Sequence, residues 1–150
     1  MSAILQLVAG RKVENFAAGA VVIEQGTAGG PLLVLLEGGV EVLRDNIRVA
    51  KASAPGNVFG EMTVLLDSRH HATIRAVRPS SFAVIENPRE FLASSTEASL
   101  HVATLLAGRL NALNQYLVDV KRQYEGHDHL GMVDEVLETL MHHQPRRRER

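Results

Sequence analysis

Between Val21 and Ile85 the chain is a succession of short aliphatic runs, each closed by turn-forming residues. Val21-Val22-Ile23 stops near Gly26, and Leu32 to Leu36 stops at Gly38-Gly39. Val40 and Val42 alternate with Glu41 before a polar Arg44-Asp45-Asn46 turn; Ile47 and Val49 follow. Ala54-Pro55-Gly56 breaks the chain ahead of Val58-Phe59, and Thr73-Ile74 and Phe82 to Ile85 are later runs. Runs this short cannot be long helices, and their close, regular spacing predicts an antiparallel sandwich or roll.

The period changes on both sides of this region. Ile4, Leu5, Leu7 and Val8 sit at helical spacing, which predicts a short helix within Ser2–Phe16. Asn87-Pro88 marks a second boundary, because proline suits the first turn of a new helix. From Ser99 to Tyr124 the residues Ala103, Leu106, Leu110, Leu113, Leu117, Val120 and Tyr124 are spaced alternately three and four apart. That is a heptad seam sustained for about three heptads, and it needs a partner: the β-roll, a second copy of the helix, or both at different heights. Glu125-Gly126-His127-Asp128 ends the helix, Val133 to Met141 has one apolar face, and Gln144 to Arg150 is a basic tail. The expected organisation is an N-terminal helix and roll over 1–98, a long helix over 99–125, and a short amphipathic helix with tail over 126–150.

Composition narrows the chemistry. There is no cysteine, so disulfides, cysteine-zinc sites and thiol nucleophiles are excluded. A net charge of -1 gives no global field towards nucleic acid or membrane. The first 15 residues lack the pattern of a secretory signal and no apolar stretch is long enough to span a bilayer, so a cytoplasmic protein is expected. The seven histidines include His70-His71, His127-x-His129 and His142-His143, but none forms the helical pair with glutamate that marks a zinc hydrolase, and no metal is expected. Glu61 and Asp67 have no nucleophile with a partner base beside them, so no enzyme is expected.

The stretch that carries chemistry is Phe59-Gly60-Glu61-Met62-Thr63-Val64-Leu65-Leu66, followed by Asp67-Ser68-Arg69-His70-His71-Ala72-Thr73. A glycine lets backbone approach a ligand closely, and a helix beginning just after it offers N–H groups and a positive dipole end to an anion. A glutamate at that place suits a sugar hydroxyl, so glycine, helix start, glutamate and a nearby cation together describe a sugar-phosphate site.

Here the sequence resembles the cyclic-nucleotide-binding domain family, which includes bacterial catabolite-activator proteins and regulatory subunits of cAMP-dependent kinases. Phe59 to Leu66 and Ala72-Thr73 match its phosphate-binding cassette in order and spacing. Phe16-Ala17-Ala18-Gly19 is similar to its Phe-x-Pro-Gly turn, Gly26 to its second glycine, and Glu37 to Val42 to its Gly-x-Val-x-Val strand start. The resemblance covers roughly residues 10–125. It implies a mainly β fold with flanking helices: a cyclic-nucleotide-binding antiparallel β-roll of the double-stranded β-helix or jelly-roll type, with a long C-terminal helix. It further implies that Gly60, Glu61, Met62 and Thr63 offer N–H groups to a cyclic phosphate, that Glu61 accepts from the ribose 2′-hydroxyl, and that Thr73 lies near phosphate and base.

The match departs from the family at one place. The family's phosphate-binding arginine aligns with His70, and the proline before it with Arg69. Arginine supplies a permanent charge and a two-pronged donor, whereas an imidazole is only partly charged near neutral pH. Arg69 could replace the missing cation, or His70 could, or nothing does and the pocket serves another ligand or none. Losing the charge-assisted pair costs roughly 1.5–3 kcal/mol, about one to two decades of affinity.

The expected function is a stand-alone cyclic-nucleotide sensor or regulatory module for cyclic AMP, dimeric through the heptad seam. The alternative is a degenerate fold that acts as a dimeric protein-interaction module without nucleotide. The chain after Tyr124 is too short for the winged-helix domain of family members that regulate transcription, so DNA binding by this chain alone is not expected. The Arg146-Arg147-Arg148 tail is expected to be solvated.

Overall fold

An aliphatic run becomes a strand where its side chains can be buried on a pleated surface, and this chain meets that condition by closing its strands over a common core. In a computed structural model, which describes residues 2–124 and 138–141, the runs form one antiparallel six-stranded sheet. Its strands are β1 (Val13–Phe16), β2 (Val21–Ile23), β3 (Leu32–Arg44), β4 (Ile47–Ala52), β5 (Val58–Phe59) and β6 (Thr73–Ile85). The order is β1-β6-β3-β4, with β2 also on β6 and β5 also on β3. The helices are α1 (Ala3–Leu7), α2 (Glu61–Leu66), α3 (Pro88–Ser94) and α4 (Thr96–Gln123). The chain divides into two compact units, residues 1–105 and 106–150. The architecture is the β-roll with flanking helices that the sequence predicts.

Two 13-residue strands, β3 and β6, organise the first unit. Each changes partner along its length: β6 pairs β1 at Ala83 and β2 at Arg75, while β3 pairs β5 at Leu33 and β4 at Val40. Their mutual register shifts at Leu35/Glu37, Glu37/Gly39 and Gly39/Val40. Bulges of this kind bend a strand and raise its twist, which lets one sheet roll over itself. Gly38 has φ +110°, and a Cβ there would lie 2.6 Å from the Pro79 carbonyl oxygen and clash with the Ser80 side chain. Ser80, itself buried, accepts from the Gly39 N–H at 3.1 Å and donates to the Arg78 carbonyl at 2.8 Å.

The core inside the roll is Ile23, Leu33, Leu35, Val40, Phe59, Ile74, Phe82 and Val84. Phe82 is packed edge-on by Phe16 at 5.7 Å and Phe59 at 6.1 Å. Each such buried side chain contributes about 1.5–3 kcal/mol by leaving water. Ile4 and Val8, one helical turn apart, are buried at the N-terminal end. Ala98 and Val102 bury the start of α4, where His101 Nε2 bonds the Gly56 carbonyl at 2.8 Å.

Three expectations need adjusting. The helix expected within Ser2–Phe16 covers only Ala3–Leu7; Val13–Phe16 is a strand, paired through Val13↔Ala83 to Phe16↔Ser80. The runs on either side of Gly38-Gly39 are one strand, as are Thr73-Ile74 and Phe82–Ile85. The long helix begins at Thr96, not Ser99. Of the amphipathic helix expected at Val133–Met141, residues 138–141 are helical and the rest lies outside the described residues, as does the basic tail.

Candidate functional site

The cassette is aimed by β5. Val58 and Phe59 are buried and pair with Val34 and Leu33 of β3, so the chain leaves the core at Gly60. Gly60 adopts φ +88°, and a Cβ there would lie 3.0 Å from the Pro31 carbonyl oxygen. Only glycine takes this turn without strain, and it opens α2 at once. The first intrahelical bond runs from the Val64 N–H to the Gly60 carbonyl at 3.4 Å, so the helix supplies no acceptor to the Met62 and Thr63 N–H groups. Glu61 and Thr63 point inward and are buried, 7% and 9% exposed, while Met62, Leu65 and Leu66 face solvent. Asp67, left-handed at φ +51°, ends the helix.

His70 links the cassette to a neighbouring loop. Its Nδ1 meets Thr63 Oγ1 at 3.0 Å and its Nε2 meets the Gly29 carbonyl at 2.7 Å. A carbonyl only accepts, so Nε2 carries a proton; Nδ1 then accepts from the Thr63 hydroxyl, or donates to it when the ring is doubly protonated. Both protonation states therefore keep both bonds. Its backbone is tied to the same loop: the His70 N–H donates to the Thr27 carbonyl at 2.8 Å and the Gly26 N–H donates to the His70 carbonyl at 2.9 Å.

The other sequence-predicted residues are turned to other partners. Arg69 donates from Nη1 to the Gly26 carbonyl at 3.0 Å and is exposed. His71 Nε2 bonds Ser68 Oγ at 3.0 Å. Thr73 Oγ1 accepts from the Gln25 N–H at 3.0 Å, and Ala72 is half-buried. Gly60, Thr63 and His70 are thus brought together, with His70 Cε1 3.9 Å from where a Gly60 Cβ would be. Arg69 and His71 do not join them.

The loop that receives His70, Thr27 to Pro31, carries no motif that marks it in the sequence; its one signal is the Gly29-Gly30-Pro31 run directly before β3. The loop borders two clefts. One, of about 310 Å3, is lined by Phe16, Val22, Ile23, Leu33 and His70 among others. The second, of about 520 Å3, lies against Thr63, Val64, Asp67, Ser68, Arg69, Pro88 and Arg89. Arg89, also not anticipated from the sequence, donates from Nη2 to the Val64 carbonyl at 2.9 Å.

Residues 13–94 match the model of a family described as the cyclic nucleotide-binding domain. No curated protein matches the sequence. Among solved structures, a catabolite activator protein from Thermus thermophilus is similar at 20% identity and TM-score 0.63, over 92% of this chain and 82% of that one. The second cyclic-nucleotide domain of a kinase regulatory subunit, described as "Sp-2Cl-cAMPS bound to PKAR CBD2", is similar at 19% identity and TM-score 0.57, over 73% and 70% of the two chains. The sensor domain of the transcriptional regulator DNR from Pseudomonas aeruginosa is similar at 25% identity and TM-score 0.54, over 74% and 77%.

Proposed function

The chain belongs to the cyclic nucleotide-binding domain family, and from that premise we propose that it is a regulatory module that senses cyclic AMP at the Gly60–Thr63 turn. The domain is of a regulatory kind, and no helix among the described residues is long and apolar enough to cross a membrane. The observation that carries the reading is Glu61: a carboxylate buried to 7% exposure, one residue after a left-handed glycine, on the first turn of a helix. A ribose hydroxyl is the group such a carboxylate would accept from. The cyclic phosphate sits on the Met62 and Thr63 N–H groups, and the ligand of the kinase regulatory-subunit neighbour supports cyclic AMP.

His70 does not serve as the phosphate partner in this reading. Reaching a phosphate would break its bonds to Thr63 and Gly29, each with a net value of about 1 kcal/mol. Binding is correspondingly one to two decades weaker than at a site with arginine, by about 1.5–3 kcal/mol.

Calorimetric titration of cyclic AMP at about pH 6 and about pH 8, values that bracket histidine titration, tests the proposal. Equal affinity at both values is expected, with Glu61→Ala removing the signal. Tighter binding at the lower pH would place a protonated His70 on the phosphate. Unaltered affinity in Glu61→Ala would sink the pose.

A second reading is favoured by one observation: both His70 ring nitrogens are engaged by the protein itself. On that reading the cassette is structural, and the chain is a dimeric interaction module working through the α4 seam. No heat at either pH and no ligand-dependent rise in melting temperature would favour it.

A further inference from the structure

The cleft of about 520 Å3 shares Thr63 and Arg69 with the cassette, but Gly60, Glu61 and Met62 do not line it. It is bounded by Ala28, Gly29 and Gly30, by the second half of α2, and by Pro88 and Arg89 at the start of α3. Two exposed arginines line it. Arg69 is held to the Gly26 carbonyl at 3.0 Å and Arg89 to the Val64 carbonyl at 2.9 Å. A guanidinium carries five N–H donors, so one bond apiece leaves most of the fork for something else. Neither arginine makes an ion pair among the described residues. Among the described residues Asp67 is the one carboxylate on the lining, set against two arginines. The N–H groups of Ala28, Gly29 and Gly30, three in a row, donate to no acceptor among the described residues.

Two guanidinium forks, and a stretch of three lining residues whose backbone N–H groups are unpaired among the described residues, are the kinds of donor that phosphate oxygens select. Tethering each arginine through one N–H removes much of the ordering cost that a flexible side chain would add on binding. We propose that this cleft is a second ligand site, for a small phosphate-bearing anion, beside the cassette turn and centred on Arg69 and Arg89, not on Gly60 to Met62. Its volume leaves room beside the phosphate for a small organic group.

Inorganic phosphate titrated into the full chain, followed by nitrogen-15 NMR of backbone amides and arginine side chains, tests this. Saturable shifts are expected at the Arg69 and Arg89 Nε–H and at the Gly29 and Gly30 amides. Arg89→Gln should weaken binding roughly tenfold, the loss of one charge-assisted contact. Because Arg89 also holds α2, Arg69→Gln is the companion variant: it gives up only a bond to an exposed loop carbonyl and should weaken binding similarly, with the spectrum unchanged away from the cleft. Shifts that chloride reproduces at matched ionic strength would overturn the proposal. So would shifts centred on Gly60 to Met62, or equal phosphate affinity in both variants and the parent.

Discussion

At Gly60 a single backbone angle decides whether the cassette exists. Alanine at φ +88° costs about 1–2 kcal/mol for the left-handed conformation. Its Cβ would also press on the Pro31 carbonyl at 3.0 Å. Gly60→Ala should therefore lower the melting temperature by roughly 3–8 °C and remove cyclic AMP binding, read by thermal melts with and without ligand. A variant that melts like the parent would show that the turn relaxes freely. His70 poses the opposite question. His70→Arg restores the charge found in the family, and the guanidinium is expected to raise cyclic AMP affinity by about one to two decades. The same change removes the imidazole that holds buried Thr63, so the ligand-free protein should melt lower. Calorimetry and melting together read both effects, and lower affinity in this variant would mean that the arginine cannot reach the phosphate. Gly60 and Glu61 were legible in the sequence because their roles are local: a turn, a helix start, a carboxylate. The place of His70 was not, since its acceptor at Gly29 lies 41 positions away. Only the folded chain brings that carbonyl to the ring.

Between elements, the pairing of β3 with β6 sets where the cassette and its loop meet. The strand signal failed where the register shifts. Gly38-Gly39 reads as the end of a run and Arg78-Pro79-Ser80 falls between two separate runs, yet these segments face each other in mid-sheet, with Gly39 opposite Arg78 and Glu37 opposite Ser81. Proline has no N–H to give a ladder and glycine weakens a strand, so the two together mark a bulge that composition alone cannot tell from a chain break. Val13–Phe16 escaped for another reason: three of its four residues are exposed, so no buried face shows in the pattern and only its pairing to β6 makes it a strand. The runs with a buried face, Leu32 to Leu36 and Phe82 to Ile85, were legible. Gly38 is the strongest test at this scale. Gly38→Ala places a methyl 2.6 Å from the Pro79 carbonyl in a buried bulge, and a buried clash of this kind costs about 1–3 kcal/mol, with left-handed strain added. Urea unfolding should show a lower midpoint with the slope retained. An unchanged midpoint would mean that β3 and β6 can slip past each other at this point.

Over the whole molecule, the long helix has more apolar surface than the described contacts explain. At 28 residues α4 runs for about 42 Å. Its first turns bury Ala98 and Val102. Further along, Leu110, Leu113 and Tyr124 of the heptad seam are exposed, as is Ala103, while Leu106, Leu117 and Val120 are half-buried. Isolated leucines at a surface need no explanation, but a regular row of them at heptad spacing is the pattern that a second helix covers. A symmetric pair of copies would satisfy it, since a two-fold interface uses the same residues twice. Leu113 is 47% exposed, so glutamate there should leave the monomer's fold intact. In a parallel pair it would set two like charges against each other across the seam. Leu113→Glu is thus expected to convert a dimer to a monomer in sedimentation velocity, with the melting temperature falling only as far as the lost association requires. A dimer that persists in this variant would move the interface off the seam. A parent chain that already sediments as a monomer would leave Leu110 and Leu113 to a different protein, and the module would then act through that partner.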